Sequence, residues 1–371
     1  MKVLHLSSEK SWRGGEQQIA YLIEELLDLG AECHIISKKG SVFSRLCVEN
    51  NWSFEEAGFN NSFDLPTAIH ILRYCKKHQI DIVHIHGSRS HTPAVLAATL
   101  GSKSGLVLSR RVDFPLKRNF LSKWKYNHPS IKRVLCVSDK IREIVQETIK
   151  NRSICQTVYD GIDISKFGDR VKGNFLSSTY SLDKGTWLVG NTSALADHKD
   201  YYTFINTARE IVKEDIPTMF FIIGTGPMEA ELKGYVEELG LQNKIVFTGF
   251  IDNISEVLPE LDVFLMTSKT EGLGTSILDA MAAKVPVVAT EGGGIPEIVK
   301  DRKTGLTSKV GDYHSLARQV IRVLKDEGLR NTLTTESSKF VEKFDKKIMA
   351  AKTLEVYNDI IKNSRGCTKQ A

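Results

Sequence analysis

Short apolar runs alternate with helix-period segments along this chain, and the whole alternation occurs twice. Residues 3–7, 31–37, 81–86, 105–109 and 133–137 read as buried strands, with helical spacing over 17–29, 65–78 and 140–150 between them. Strands separated by helices imply βαβ units and a parallel sheet. The pattern weakens at 159–167 (YDGIDISKF) and dissolves into a polar stretch through Gly185. It resumes with strand-like runs at 186–190, 218–224, 244–247, 262–267 and 286–289, and helical runs at 202–213, 228–239 and 276–283. A last helical run covers 347–362. The expected fold class is α/β: two Rossmann-like, doubly wound parallel-sheet domains, 1–165 and 166–345. A terminal helix within 346–371 is expected to pack back toward the first domain. Ligands of such sheets bind beyond the carboxyl ends of the strands, so a central cleft faced by both domains is the expected site.

A length of 371 residues suits two domains of ordinary size, and 41% apolar with 26% charged residues is a globular composition. No stretch approaches the roughly 20 apolar residues that span a bilayer, and the short apolar start reads as a strand rather than a secretory signal. The six cysteines, Cys33, Cys47, Cys75, Cys136, Cys155 and Cys367, form no C-x-x-C pair. Three of them fall in strand runs, so inert thiols in a reducing compartment are expected. Of the +5 formal charge, residues 1–165 hold 23 Lys and Arg against 17 Asp and Glu, so the first half is the basic one. That favours an anionic partner there: a phosphate-bearing substrate, a membrane surface or nucleic acid.

The most informative stretch is 271–279, EGLGTSILD, between a strand and a helix. Gly272 and Gly274 let the backbone approach a ligand, and a helix N-terminus suits a phosphate. Glu271 precedes that helix; Asp279 lies about two turns on, so the two carboxylates are placed to hold different hydroxyls of one extended ligand. A helix-start acid and a solvated helix charge are the bland alternative. Further glycine corners stand at 291–297 (EGGGIPE) and 223–227 (IGTGP), and three at successive strand ends outline a ligand-binding edge. Gly14 and Gly15 open another helix after the first strand, a plausible anion corner. His86 and Arg89 follow a strand of the first domain, where a satisfied buried histidine is the plain alternative.

The stretches FIIGTGPMEAEL, KIVFTGF, SKTEGLGTSILDAMA and PVVATEGGGIPEIVKDRKTGL, with a GGxE start and a DIVHIHG strand, resemble retaining glycosyltransferase family four, glycosyl transferases group 1, of GT-B fold. The resemblance covers nearly the whole chain. It implies a transferase that moves a sugar from a nucleotide-diphosphate sugar, UDP- or GDP-linked, to a hydroxyl acceptor with retained configuration. The acceptor would lie on the first domain and the donor on the second. Glu271 would hold sugar hydroxyls and Asp279, one methylene shorter than the family's glutamate, the ribose. The amides of Gly272, Leu273, Gly274 and Thr275 would meet sugar and diphosphate oxygens, while Gly249, Phe250 and Ile251 would sit against the base. Gly15, with Gly14, would approach the diphosphate from the first domain. Lys199 would neutralise the diphosphate, its usual arginine partner being replaced by Ser193 or a neighbour.

A second departure lies at 106–115, LVLSRRVDFP, where Arg111, preceded by Arg110, stands in the region of a family histidine. Arginine accepts no proton at working pH but clamps a phosphate or an acidic acceptor bidentately. Glu271, His86 and Arg111 are therefore the candidate catalytic residues. No Asp-x-Asp pair or His/Cys cluster at ligand spacing stands out, so no essential metal or other cofactor is expected, and Lys199 with backbone amides must stabilise the leaving diphosphate. Residues 115–133 hold six Lys/Arg and no acid, interleaved with aromatics. Two readings stay open for them: peripheral contact with an anionic membrane, and a solvated helix whose aromatics face the core. The resemblance points to a carbohydrate or lipid-linked acceptor in lipopolysaccharide, surface polysaccharide or glycolipid synthesis, and to a cytoplasmic enzyme, with attachment to the inner membrane face left open. The rival readings are a nucleotide-sugar epimerase, a nucleic-acid binder, for which no motif speaks, and a non-catalytic nucleotide-sugar sensor.

Overall fold

The structure is a computed structural model that describes residues 1–61, 63–114, 116, 119–168 and 173–366. Cys367, the rest of the tail beyond Gly366, and positions 115, 117 and 118 of the basic segment lie outside the described residues. The chain divides into two compact units, Met1–Gly161 with Lys346–Ala371, and Ile162–Asp345. The last helix thus belongs to the first unit.

The first unit is a parallel sheet of β1 (Lys2–Ser7), β2 (Glu32–Lys38), β3 (Ser53–Ala57), β4 (Ile82–Ile85), β5 (Gly105–Arg110), β6 (Ile131–Cys136) and β7 (Cys155–Thr157), in the order β3-β2-β1-β4-β5-β6-β7. Helices cover both faces of its central strands, so β4 (IVHI) is buried at every position, His84 included. The chain turns from one direction of winding to the other between β1 and β4, which pair in register His5 to His84. One sheet face is covered by the helices Gly14–Asp28 and Lys346–Gly366, and Met349, Ala350, Val356, Tyr357 and Ile360 of the latter enter the core with Val3, Ile19, Ile23 and Ile82. Two polar contacts fix that return. Gln18 bonds both the N–H and the C=O of Gly161, at 2.9 and 2.8 Å, and Lys346 reaches Glu24 and Glu25, each at 3.3 Å.

The second unit repeats the scheme with β8 (Trp187–Thr192), β9 (Thr218–Ile223), β10 (Ile245–Gly249), β11 (Val263–Met266), β12 (Val287–Thr290) and β13 (Leu306–Ser308), ordered β10-β9-β8-β11-β12-β13. Its direction switches between β8 and β11. Phe204, Ile205 and Ile211 of the helix Tyr201–Val212 and Val320 and Val323 of Tyr313–Lys325 pack with Val189, Phe220 and Leu265.

Each unit has the doubly wound parallel architecture expected of it. Several elements carry no periodic signal and emerge only here. Strand β3 (SFEEA) lies at the sheet edge with one neighbour and is buried only at Ala57, so it needs no apolar run. The helix Ser88–Thr99 contains Pro93, and its apolar spacing is masked by a polar first turn. The five described cysteines are free and buried, and burial pushes Cys33, Cys47 and Cys136 up to about 12, which leaves no reactive thiolate near neutrality. No described helix is long and apolar enough to cross a membrane.

Candidate functional site

In each unit the residues of interest gather at the switch point of the sheet, where open parallel sheets receive ligands. In the second unit Lys199 follows β8 and Glu271 follows β11. Lys199 Nζ meets Glu271 Oε1 at 2.6 Å, with side-chain exposures of 16% and 10%. The same oxygen accepts from Ser268 Oγ at 2.7 Å, and Thr290 Oγ1 in turn donates to the Ser268 carbonyl at 2.6 Å. Thr267 Oγ1 holds the Lys199 carbonyl at 3.1 Å. The pair is therefore positioned by backbone contacts on both sides, and Glu271 is buried rather than a solvated helix-start acid.

The glycine corners divide by role. Gly274 adopts φ +94° at the start of the helix Thr275–Ala282, a left-handed conformation that glycine takes without penalty. At the other two corners glycine is needed because loops stack backbone to backbone. A Cβ on Gly293 would fall 2.2 Å from the Glu271 carbonyl oxygen, and one on Gly292 2.6 Å from that of Ser268. A Cβ on Gly224 would fall 2.2 Å from the Ser193 oxygen and on Gly226 2.3 Å from that of Leu195. These four glycines brace the loops that present Lys199 and Glu271. Ser193 hydrogen-bonds Tyr201 Oη at 2.8 Å, and Tyr201 donates to Asn191 at 3.1 Å, so hydroxyls stand at Ser193, where the family resemblance implies a second cation.

Leu273 is buried, Gly272 and Thr275 are half-buried, and Asp279 is half-buried one helical turn further in. Burial pushes the Asp279 carboxyl up to about 7, partly offset by Lys166. Gly249 has φ +74° with open space before it, Phe250 is 66% exposed and Ile251 half-buried.

The cluster of the first unit is made of residues far apart in the chain. Arg111, just beyond β5, pairs with Asp160 at 3.1 Å, with side-chain exposures of 15% and 9%. Its Nη1 lies 3.5 Å from His86 Nδ1, and His86 Nε2 lies 3.0 Å from His5 Nδ1. His84 beside them bonds Tyr357 Oη at 2.5 Å and Ser109 Oγ at 2.8 Å. Burial holds all three imidazoles neutral, with His5 lowered to about 3 and His84 and His86 well below the usual value. Asp160 is raised by burial, against the pull of Arg111. Arginine only donates, so the ring nitrogen of His86 facing Arg111 is the acceptor. His86 then donates through Nε2 to His5, whose own Nε2 is buried without a partner. The chain Asp160–Arg111–His86–His5 is thus polarised in one direction.

His5, His84 and His86 are the described histidine group close enough to hold a metal ion, with ligand atoms within 4.8 Å of one another. Sequence spacing misses the group because His5 is brought to His84 by strand pairing. The arrangement suits a cation poorly: the Nε2 lone pair of His86 is replaced by a proton, and the Arg111 charge stands beside it. Gly14 and Gly15 have nothing within 4 Å of an added Cβ, so room remains before this helix start. Glu16, which follows them, is raised to about 7, mainly by burial. Arg89 is exposed.

Comparison with known proteins agrees with this architecture. Residues 12–166 match the family model Glycosyltransferase Family 4, and residues 176–340 match Glycosyl transferases group 1. N-acetyl-alpha-D-glucosaminyl L-malate synthase of Bacillus anthracis is 25% identical over 92% of this chain and 93% of its own. UDP-Gal:alpha-D-GlcNAc-diphosphoundecaprenol alpha-1,3-galactosyltransferase of Escherichia coli is 23% identical over 81% of each chain. The crystal structure of Anabaena Alr3699/HepE in complex with UDP and glucose superposes with a TM-score of 0.84 at 18% identity, over 97% of this chain and 100% of that one. Two family models in tandem, one on each unit, make this chain a glycosyltransferase of family four.

Proposed function

We propose that the protein transfers a sugar from a UDP- or GDP-sugar to a hydroxyl of a glycan or lipid-linked acceptor, with retention at the anomeric carbon. The observation that carries this reading is the buried Lys199–Glu271 pair beside the helix start at Gly274. A diphosphate brought to that helix start meets amide donors and the Lys199 ammonium, which together neutralise the charge that grows on the leaving group. Glu271, released from Lys199 in part, then takes a sugar hydroxyl. Asp279 is assigned to the ribose, and Gly249, Phe250 and Ile251 to the base, Phe250 offering an exposed ring. The first unit takes the acceptor, with Gly14 and Gly15 leaving space for an approaching phosphate. His86 and Arg111 serve as positioning groups, because both nitrogens of His86 are engaged within the cluster. The acceptor proton passes to the leaving phosphate on the same face.

Support for the donor comes from the Anabaena relative, solved with UDP and glucose, and for a lipid-linked acceptor from the E. coli relative, which acts on a diphosphoundecaprenol. Attachment to an anionic membrane is favoured by Phe114 and Phe120, 56% and 79% exposed, whereas Tyr126 at 6% faces the core. A thermal-shift panel of UDP, GDP, ADP and CMP tests the donor site. Ligand at ~100 times its Kd stabilises by about 2.7 kcal/mol. One diphosphate should stand out and lose its shift in Lys199→Ala; a flat panel would sink the donor assignment.

A further inference from the structure

Adjacent arginines at the end of β5 have opposite fates. Arg111 is neutralised by Asp160. Arg110, among the described residues, makes no ion pair, and neither does Lys125 on the helix Phe120–Tyr126. Burial lowers the Lys125 pKa, and the nearby Arg110 charge adds to it. A third basic group joins them. His91, on the helix Ser88–Thr99, is 1% exposed and stands edge-on to Tyr126, with ring centroids 4.7 Å apart at 85°. Its pKa is lowered to about 3, mainly by burial and then by Lys125.

Polar nitrogens in this group are left without partners. One Arg110 nitrogen, Nη2, donates to the Phe114 carbonyl, but its Nε is buried with no partner. His91 Nε2 is likewise buried without one. Lys125 Nζ lies 5.7 Å from the Tyr126 ring centre, and the Arg110 guanidinium, through its charge and a side-chain hydrogen bond, lowers the Tyr126 pKa against the larger effect of burial. Two unpaired cations and an unsatisfied imidazole in one half-buried place repel and desolvate each other unless a negative group joins them. An oxyanion supplies what is missing: charge between Arg110 and Lys125, acceptor oxygens for the guanidinium, and a partner for His91 Nε2 once that nitrogen carries a proton. Arg110 ends a strand and His91 lies in the helix that follows β4, so the place is at the carboxyl edge of the sheet, where a ligand is received.

We propose that Arg110, Lys125 and His91 form a subsite for an oxyanion, the phosphate or carboxylate carried by the acceptor. This rests on the reading of the first unit as the acceptor-binding one.

Glycerol 3-phosphate, glycerate and glycerol serve as probes, since they share hydroxyls and carry a phosphate, a carboxylate and no charge. Each is titrated calorimetrically into the full chain, with UDP and GDP present to occupy the donor site. The expected result is saturable binding of one or both charged probes and none of glycerol; whichever charged probe binds tighter identifies the oxyanion. Affinity should fall at least tenfold in Arg110→Gln and in Lys125→Met, and recover in part in Arg110→Lys. His91→Phe should weaken the probe severalfold without lowering the melting temperature, because it removes an unsatisfied polar atom. A histidine that is merely structural would lower the melting temperature and leave the probe affinity alone. Absence of saturable binding, equal binding of glycerol, or unchanged affinity in folded Arg110→Gln and Lys125→Met would overturn the subsite. Titration of UDP and GDP alone reads the donor site separately, so failure of the transferase reading is seen as lost nucleotide binding with the probe result intact.

Discussion

Lys199 and Glu271 in the second unit meet through loops that hug one another, whereas His5, His84, His86, Arg111 and Asp160 in the first meet across strands. The second site is shaped by backbone: four glycines allow carbonyls and Cα atoms to touch, and the Ser268 hydroxyl holds the carboxylate while those of Thr267 and Thr290 hold backbone carbonyls beside it. The first is shaped by side chains that bond one another, His5 Nε2 alone among their ring nitrogens lacking a partner, with Tyr357 from the last helix bonded to His84. The difference predicts that substitutions in the second unit fall mainly on turnover and those in the first mainly on folding.

Ending the chain at Asp345 is the severest test of that division. It removes Met349, Ala350, Val356, Tyr357 and Ile360 from the first core. Each large apolar side chain contributes about 1.5–3 kcal/mol when fully buried, so the loss is comparable with the about 5–15 kcal/mol that holds a typical domain folded. The first unit should unfold while residues 162–345 keep their hydrogen-exchange protection. A truncated chain with a protected β1 would show that the helix is dispensable.

Asp160→Asn comes next. It strands the Arg111 charge in a place only 15% exposed, and breaking such a pair costs about 3–5 kcal/mol. Chemical denaturation should show that loss in the first unit's transition. Glu271→Gln should reverse the pattern. Transfer is expected to drop about 10²–10³-fold, in line with the loss of one group aimed at the reacting centre, with a smaller change in denaturation midpoint because the amide oxygen still accepts from Ser268 and Lys199. Near wild-type turnover in this variant would take Glu271 out of the site.

Acidification is expected to separate the units by sign. His5 and His91 keep a pKa of about 3, and His84 and His86 lie well below the usual value, so the unfolded chain takes up their protons first as pH falls below about 6.5. Each such proton costs the first unit about 1.4 kcal/mol per pH unit. Glu16, raised to about 7, opposes this between about pH 7 and its unfolded value, as does Asp160 over a range set by its raised pKa. In the second unit Asp279, raised from 3.8 to about 7, binds its proton first in the folded state. Lowering the pH from 7 toward 4 therefore strengthens the second unit, and raising it removes that gain. Hydrogen exchange at pH 7 and 5 should show the first unit loosening and the second tightening, and Asp279→Asn should abolish only the latter. Parallel behaviour of the two units would contradict the assignment of these groups.

Part of the second site is legible in the sequence because Ser268, Glu271 and Gly274 fall within one strand-to-helix connection, while Lys199, 72 positions before Glu271, is reached through the family resemblance. The first site is not legible in this way. His5 and His84 are 79 positions apart and meet because parallel strands align them in register; Tyr357 arrives from a helix that leaves the second unit and returns. Local spacing carries no trace of either event.

The chain's alternation of apolar runs and helical spacing by itself determined two doubly wound sheets, since backbone hydrogen bonding and a buried face leave few other ways to arrange strands separated by helices. The tertiary structure alone decided what each charged group faces. Arg110 and Arg111 are equivalent as letters, yet successive residues of an extended chain point to opposite sides. One thereby reaches Asp160 and is neutralised; the other lies with Lys125 and His91, and no described carboxylate answers it.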